Sequence, residues 1–188
     1  MCSIRLSPPY RAELSKNHHD VATVGPGIGA DAHRLGKPWR TKGNSQDIPP
    51  GQALDGLAAA ARDAGKRGLP PVHLWNPPFC GDLDIRIARD GTWFYLGTPI
   101  GRPALVRLFS TILKREGDRH FLVTPVEKVG IRVDDAPFLA VEMRREGEGQ
   151  GQVLHFRTNV DDWVTCDAVH ALRFEPAASD GLAPYLHV

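Results

Sequence analysis

The chain has few of the residues that mark a specialised class of protein. Its three cysteines, Cys2, Cys80 and Cys166, are odd in number and far apart, which argues against a disulfide framework and a CxxC-type zinc site. No hydrophobic run reaches the length of a signal-peptide core or a membrane span. With 23 Lys and Arg against 22 Asp and Glu, the net charge of +1 provides no long-range attraction to duplex nucleic acid or anionic lipid. We therefore expect a cytoplasmic protein with reduced thiols and no membrane or duplex partner.

Motifs for the common catalytic and metal sites are absent or out of context. The segment 25–30, GPGIGA, has dinucleotide-binding spacing, but Gly36 and Pro38 follow too soon for the helix that would receive a pyrophosphate. The chain has no GxSxG nucleophile motif and no His-x-x-x-His or Cys-His cluster. We predict no catalytic residue, no resident metal and no cofactor.

The first half of the chain changes character near Ala53. Residues 1–52 are rich in Gly and Pro without a sustained hydrophobic period, which predicts a mostly disordered leader. Apolar residues then recur at helical spacing as far as Ala64, and Gly65 and Gly68 end this short Ala-rich helix before Pro70.

A β-hairpin is predicted over residues 83–96. Leu83, Ile85 and Ile87 alternate with charged residues, and Asp90-Gly91 is a type I′ turn signal ahead of an aromatic strand. The hairpin therefore has one apolar face that needs a cover.

A second helix, over 103–115, begins at Pro103 and carries an apolar stripe from Leu105 to Leu113. Short β-favouring runs follow it, at 121–124, 129–133, 138–143, 153–158, 163–166 and 171–174. Several short antiparallel strands after a helix indicate an α+β fold.

The order of elements indicates two related units, a first α+β unit at 53–120 and a second at 121–188. A helix can cover the first hairpin, whereas the later hairpin around residues 159–162 has no helix after it. We expect either a missing C-terminal cover or a partner chain on that face, such as a second copy in a homo-oligomer.

Several separated segments, in order along the chain, resemble the bacterial domain-of-unknown-function family 1285 (DUF1285). They are PPVHLWNPPFCGDLDIRIARDGTWFYLGTPIGRPALVRLF, LVTPVEKVGIRVDDAPFLAVEM, FRTNV and PYLHV. The resemblance covers about Leu54 to Val188, leaves the leader outside, and lacks the further helix that the family has after PYLHV. It implies two repeated α+β units, the second superficially pleckstrin-homology-like, with a groove between them that binds a nucleotide-like ligand in signalling.

Cationic groups near turns are the best candidates for a ligand site. Arg86, Arg102 and Lys128 form a candidate anion-binding set, because guanidinium forks suit phosphate and the helix from Pro103 adds unpaired amides. Aromatic stacking and two-way hydrogen bonding would come from Trp75, Asn76, Thr158 and Asn159.

The same residues also have a purely structural explanation. Arg86 can pair with Asp84 or Glu127, Trp93 suits a hairpin core, and Asn159 suits a turn. Both interpretations are open at this point.

Two other classes of function fit the sequence. Asp82 or Asp84 with His73 would make a small metal-assisted hydrolase, and Cys80 with His73 a thiol hydrolase. The uncovered second unit favours a protein-interaction module. Our leading hypothesis is a non-enzymatic protein that binds a nucleotide-like or phosphate-bearing ligand at the junction of its two units.

Overall fold

The structure is a computed structural model that describes residues 2–6, 50–66, 68–176 and 182–188. Within them lie two six-stranded sheets and two α-helices. The predicted α+β class is confirmed, while the pleckstrin-homology likeness stays a prediction. Neither helix has the length and apolar character needed to cross a membrane, a statement that covers only these residues.

The described residues form two α-helices, two 3-10 turns and twelve strands. The helices are α1 (Pro50–Gly65) and α2 (Pro103–Ser110), with 3-10 turns at Val72–Leu74 and Gly149–Gly151. The strands are β1 (Ser3–Leu6), β2 (Phe79–Ile87), β3 (Trp93–Tyr95), β4 (Thr98–Pro99), β5 (Leu113–Glu116), β6 (Arg119–Val123), β7 (Lys128–Val133), β8 (Phe138–Glu146), β9 (Val153–Thr158), β10 (Trp163–Thr165), β11 (Leu172–Pro176) and β12 (Leu182–His187).

The first sheet has the order β4-β3-β2-β7-β6-β5. Its neighbours are antiparallel except β2 and β7, which are parallel. Both helices contribute to one core with the sheet, in which Leu57 of α1 and Phe109 of α2 are buried with Ile85 and Trp93. The ring of Trp93 stacks on Phe109 with centroids 6.4 Å apart, so the predicted core role of Trp93 is confirmed.

The second sheet has the order β10-β9-β8-β1-β12-β11. β1 lies in its interior, parallel to β8 and antiparallel to β12, and Ile4 and Leu6 are buried in its core. Residues 3–6 therefore differ from the disordered leader expected for 1–52, and so does the start of α1 at Pro50. The remainder of that leader, with the GPGIGA segment, lies outside the described residues.

The Ala-rich helix, the hairpin and all six later strand runs are confirmed, but two local predictions are wrong. The turn at Asp90-Gly91 is not type I′, since only Gly91 has a positive φ, 80°, and the loop closes between Ala88 and Thr92. The helix predicted for 103–115 ends at Ser110, because the chain after Thr111 pairs with β6 as strand β5.

Most strand pairs are antiparallel as predicted, and each sheet has in addition one parallel pair that was not predicted. The predicted division at residue 120 falls inside β6, and the first sheet continues through β7 to Val133. β12 lies where the sequence indicated no element. The cover or partner expected on the second sheet stays a prediction.

Candidate ligand site between the two sheets

A polar cavity of about 240 Å³ lies where the two sheets meet. Its lining combines residues of both sheets and of the segment that connects them, among them Ser3, Arg115, His120, Asp135, Arg173 and Tyr185. A cavity lined by several convergent polar groups is the usual form of a small-molecule site.

Strand pairing places these side chains. On the first sheet, Arg115 of β5 lies opposite His120 of β6 around a turn that Gly117 closes with a φ of 59°. On the second sheet, Tyr185 of β12 lies between Arg5 of β1 and Arg173 of β11. Residues directly opposite each other share a face of the sheet, so each sheet presents its own polar row to the cavity.

Asp135 lies in the segment between β7 and β8, and its carboxylate links this segment to the second sheet. Its Oδ2 accepts from Arg5 Nη1 at 2.6 Å and lies 3.7 Å from Arg89 Nε, while its Oδ1 accepts from the Tyr185 hydroxyl at 2.8 Å. Burial raises the pKa of Tyr185, and the bond to Asp135 raises it further. The Asp135 carboxylate is therefore compensated, and Tyr185 stays a neutral phenol.

His120 is the least satisfied group in the cavity. Its Nε2 is buried and has no hydrogen-bond partner. Burial first, and the positive charge of Arg115 second, lower the pKa of His120 from 6.5 to about 4. The ring is neutral at pH 7, so Nε2 has the capacity for one hydrogen bond, as donor or acceptor according to the tautomer.

The two cavity arginines are held by neighbouring oxygens. Arg115 Nε donates to the Gly117 carbonyl at 2.9 Å. Arg173 Nη2 donates to the Ser3 hydroxyl at 3.2 Å, and its Nε lies 3.3 Å from Glu175. A guanidinium has five N–H donors, so these contacts orient each fork without using all of its capacity.

The residues predicted from the sequence do not converge on this cavity. Arg86 Nη1 donates to Asp134 at 3.0 Å, neither of the two partners proposed for it. Lys128 Nζ donates to Glu116 at 2.9 Å. In the β2–β7 register Lys128 lies opposite Phe79 at the start of β2, whereas Arg86 lies at the end of that strand, so the two cations are far apart.

The other predicted residues lie in three further places. Arg102 is exposed before α2 and lines a smaller, mostly apolar cavity of about 190 Å³. Trp75 packs against the first core, its carbonyl accepts from Lys114 Nζ at 3.2 Å, and the adjacent Asn76 is exposed.

Thr158 and Asn159 stabilise the β9–β10 turn. The buried Thr158 hydroxyl accepts from the amides of Val160 and Asp162 at 3.3 and 3.1 Å. Asn159 Oδ1 accepts from the Leu139 amide at 3.1 Å, and Nδ2 donates to the Gly91 carbonyl of the first sheet at 3.4 Å. The turn role of Asn159 is confirmed, and its side chain links the two sheets.

The residues of the hydrolase hypotheses are also dispersed. Asp82 Oδ1 accepts from Arg119 Nη2 at 2.6 Å, while His73 and Asp84 are exposed. The exposed Cys80 thiol donates to the Pro78 carbonyl at 3.5 Å. Over the described ranges, no group of three His, Cys, Asp or Glu side chains is arranged to hold a metal ion.

None of the residues that line the polar cavity was predicted from the sequence as a site residue. One signal was present for Arg115 and His120: they flank the Glu116-Gly117-Asp118 turn at the spacing of a cross-strand pair. Arg173 and Tyr185 carried no such signal, because β12 was not predicted.

Comparisons with known proteins connect this fold to one family. Residues 70–136 match the N-terminal domain of DUF1285, described as a domain of unknown function, and residues 137–188 match its C-terminal domain. A DUF1285 family protein from Silicibacter pomeroyi DSS-3, known as a crystal structure, is 60% identical with a TM-score of 0.65 over 70% of this chain and 73% of that chain.

Another crystal structure, of a DUF1285 family protein from Shewanella baltica OS155, is 29% identical with a TM-score of 0.44 over 56% of this chain and 77% of that one. No curated protein matches the chain.

Proposed function

Since the chain belongs to the DUF1285 family, whose function is unknown, we propose from its own geometry that it binds a small phosphate-bearing ligand between its two sheets. One observation carries the proposal: Arg115 of the first sheet and Arg173 of the second line the same cavity as His120, whose buried Nε2 has no hydrogen-bond partner. Planar guanidinium forks suit phosphate oxygens, and a neutral imidazole in its Nε2–H tautomer adds one further donor.

The charge of the cavity is compatible with an anion. The carboxylate of Asp135 is paired with Arg5 and Arg89, which leaves Asp118 and Glu175 to balance the two cavity arginines. Asp118 is fully exposed and lies 3.7 Å from Arg115, so solvent screens its charge. When phosphate binds, Arg115 would thus replace its weak contact with Asp118 by direct, charge-assisted hydrogen bonds to the phosphate.

The volume favours a compact ligand. Sites for drug-sized molecules measure about 300–1,000 Å³, and this cavity of about 240 Å³ is smaller. It suits phosphate or the phosphate and sugar of a mononucleotide-like ligand better than a dinucleotide. A non-enzymatic role in cytoplasmic signalling, which the family resemblance implies, completes the proposal.

Titration calorimetry with inorganic phosphate and with adenosine monophosphate tests it. Arg173→Ala removes a charged donor, so we expect at least about tenfold weaker binding, given about 1.5–3 kcal/mol for such a bond. Arg132→Ala is the matched control, since Arg132 is exposed on β7 and pairs with Asp134 outside the cavity lining. Equal affinity of the wild type and Arg173→Ala, or no binding by the wild type, would contradict the proposal.

A further inference from the structure

The two sheets share one strand pattern, and β1 completes it in the second. In the first sheet the meander β2-β3-β4 is followed, across a parallel contact, by β7, β6 and β5. In the second, the meander β8-β9-β10 is followed, across a parallel contact, by β1, β12 and β11. β1 thus occupies the place of β7, but it reaches that place from the N-terminal end of the chain rather than directly after its antiparallel neighbour.

The slot between β8 and β12 holds β1 by its backbone and by its apolar side chains. Cα partners pair Ile4 with Phe138 of β8 and with Leu186 of β12. Ile4 is 0% and Leu6 3% exposed, both within the core of this sheet. The slot therefore needs a strand, because without one two rows of backbone groups and the core beneath would meet water.

The same strand builds part of the cavity. Ser3 lines it and orients Arg173, while Arg5 compensates Asp135. Just before the strand, Cys2 is buried with its thiol against the Arg115 backbone, and its carbonyl accepts from the Val188 amide at 2.9 Å. β1 and the residue before it therefore contact both walls of the cavity.

We propose that docking of β1 between β8 and β12 assembles the ligand site, so that the cavity is complete only when β1 is inserted. The link to ligand rests on the proposed function: a ligand that needs the assembled cavity favours the inserted strand, and by thermodynamic reciprocity the inserted strand raises ligand affinity by the same factor.

His120 reports on assembly without any ligand. The charged and titratable groups that line the cavity together with His120 are Arg115, Asp118, Asp135, Arg173, Glu175 and Tyr185. Because burial is the main cause of the low pKa of His120, release of β1 should return that pKa from about 4 toward 6.5. An NMR titration of the histidine ring in the full chain measures this directly.

The decisive variant is Ile4→Asp, which places a charge in the slot, with Leu154→Ala on β9 as the control within the same core. We expect the His120 pKa to rise in Ile4→Asp and to stay low in Leu154→Ala. The Trp93 indole signal verifies that the first sheet remains folded. If Ile4→Asp does not fold, Ile4→Ala should give a smaller rise in the same direction.

Phosphate titrations of the same proteins separate the two proposals. We expect about tenfold or weaker apparent affinity in the Ile4 variants, because affinity falls with the fraction of chains in the competent state. An unchanged His120 pKa in every folded Ile4 variant overturns the assembly role of β1. A raised His120 pKa with no phosphate binding by the wild type supports that role and refutes the proposed function instead.

Discussion

Acid should destabilise this protein through His120. The folded chain holds its pKa near 4 while the unfolded chain returns it to 6.5, so only the unfolded state takes up a proton between these values. The stabilisation of the folded state that comes from His120 is complete above pH 6.5 and is lost as the pH falls toward 4. At about 1.36 kcal/mol per pKa unit the ceiling is about 3.4 kcal/mol, and solvent access to part of the ring reduces our expectation to about 2 kcal/mol.

The assay is urea unfolding of the wild type and of His120→Gln, which keeps a polar side chain but does not titrate in this range. The difference in unfolding free energy between the two proteins isolates His120 from other titrating groups. Between about pH 7 and pH 4.5 we expect the wild type to lose about 2 kcal/mol of unfolding free energy relative to His120→Gln. A difference that does not change with pH would refute the claim that burial holds this ring neutral.

Three further predictions concern contacts outside the cavity. Gly130→Ala should lower the unfolding free energy by under about 1 kcal/mol, because its new methyl group would displace the Asp82 carboxylate from an exposed ion pair with Arg119, and the loss should be smaller in an Asp82→Ala background, as measured by urea unfolding. Asn159→Ala should cost about 1–3 kcal/mol and separate the calorimetric transitions of the two sheets, since its amide donates to the Gly91 carbonyl. Asp161→Gly should retain about 1 kcal/mol more stability than Asp161→Ala, measured by urea unfolding, because residue 161 has a φ of 66°.

Local sequence patterns predicted the elements of the first sheet well, because the periodicity of each element is visible within a few consecutive residues. Alternating Leu83, Ile85 and Ile87 gave β2 and its buried face directly. The pairing of strands has no such local signal, since no short segment of the sequence indicates that β7 runs parallel to β2. The helix predicted to extend to residue 115 shows the same limit, since its last apolar residue, Leu113, satisfies a helical stripe and a strand equally and the cross-strand partner Leu122 decides.

The second sheet and the cavity were hidden for two physical reasons. β1 has four residues, too few for periodicity, and β12 contains Pro184 although it lies in the sheet interior. Proline normally argues against an interior strand because it cannot donate to the ladder. Both of these strands contribute residues to the cavity. Its lining could therefore not be predicted from the sequence, although the sequence predicts a site at the junction of the two units.

The position of β1 also explains why so short a segment matters. An edge strand contributes one ladder and leaves its sheet intact when lost, whereas an interior strand contributes two ladders and divides the sheet. Loss of β1 would leave β12 attached only to β11, and β8 attached only to β9. Tyr185 and Arg173 belong to the first of these fragments, while Asp135 precedes the second at Phe138. The division would therefore run through the cavity wall, so the position of β1 decides whether the proposed ligand site is intact.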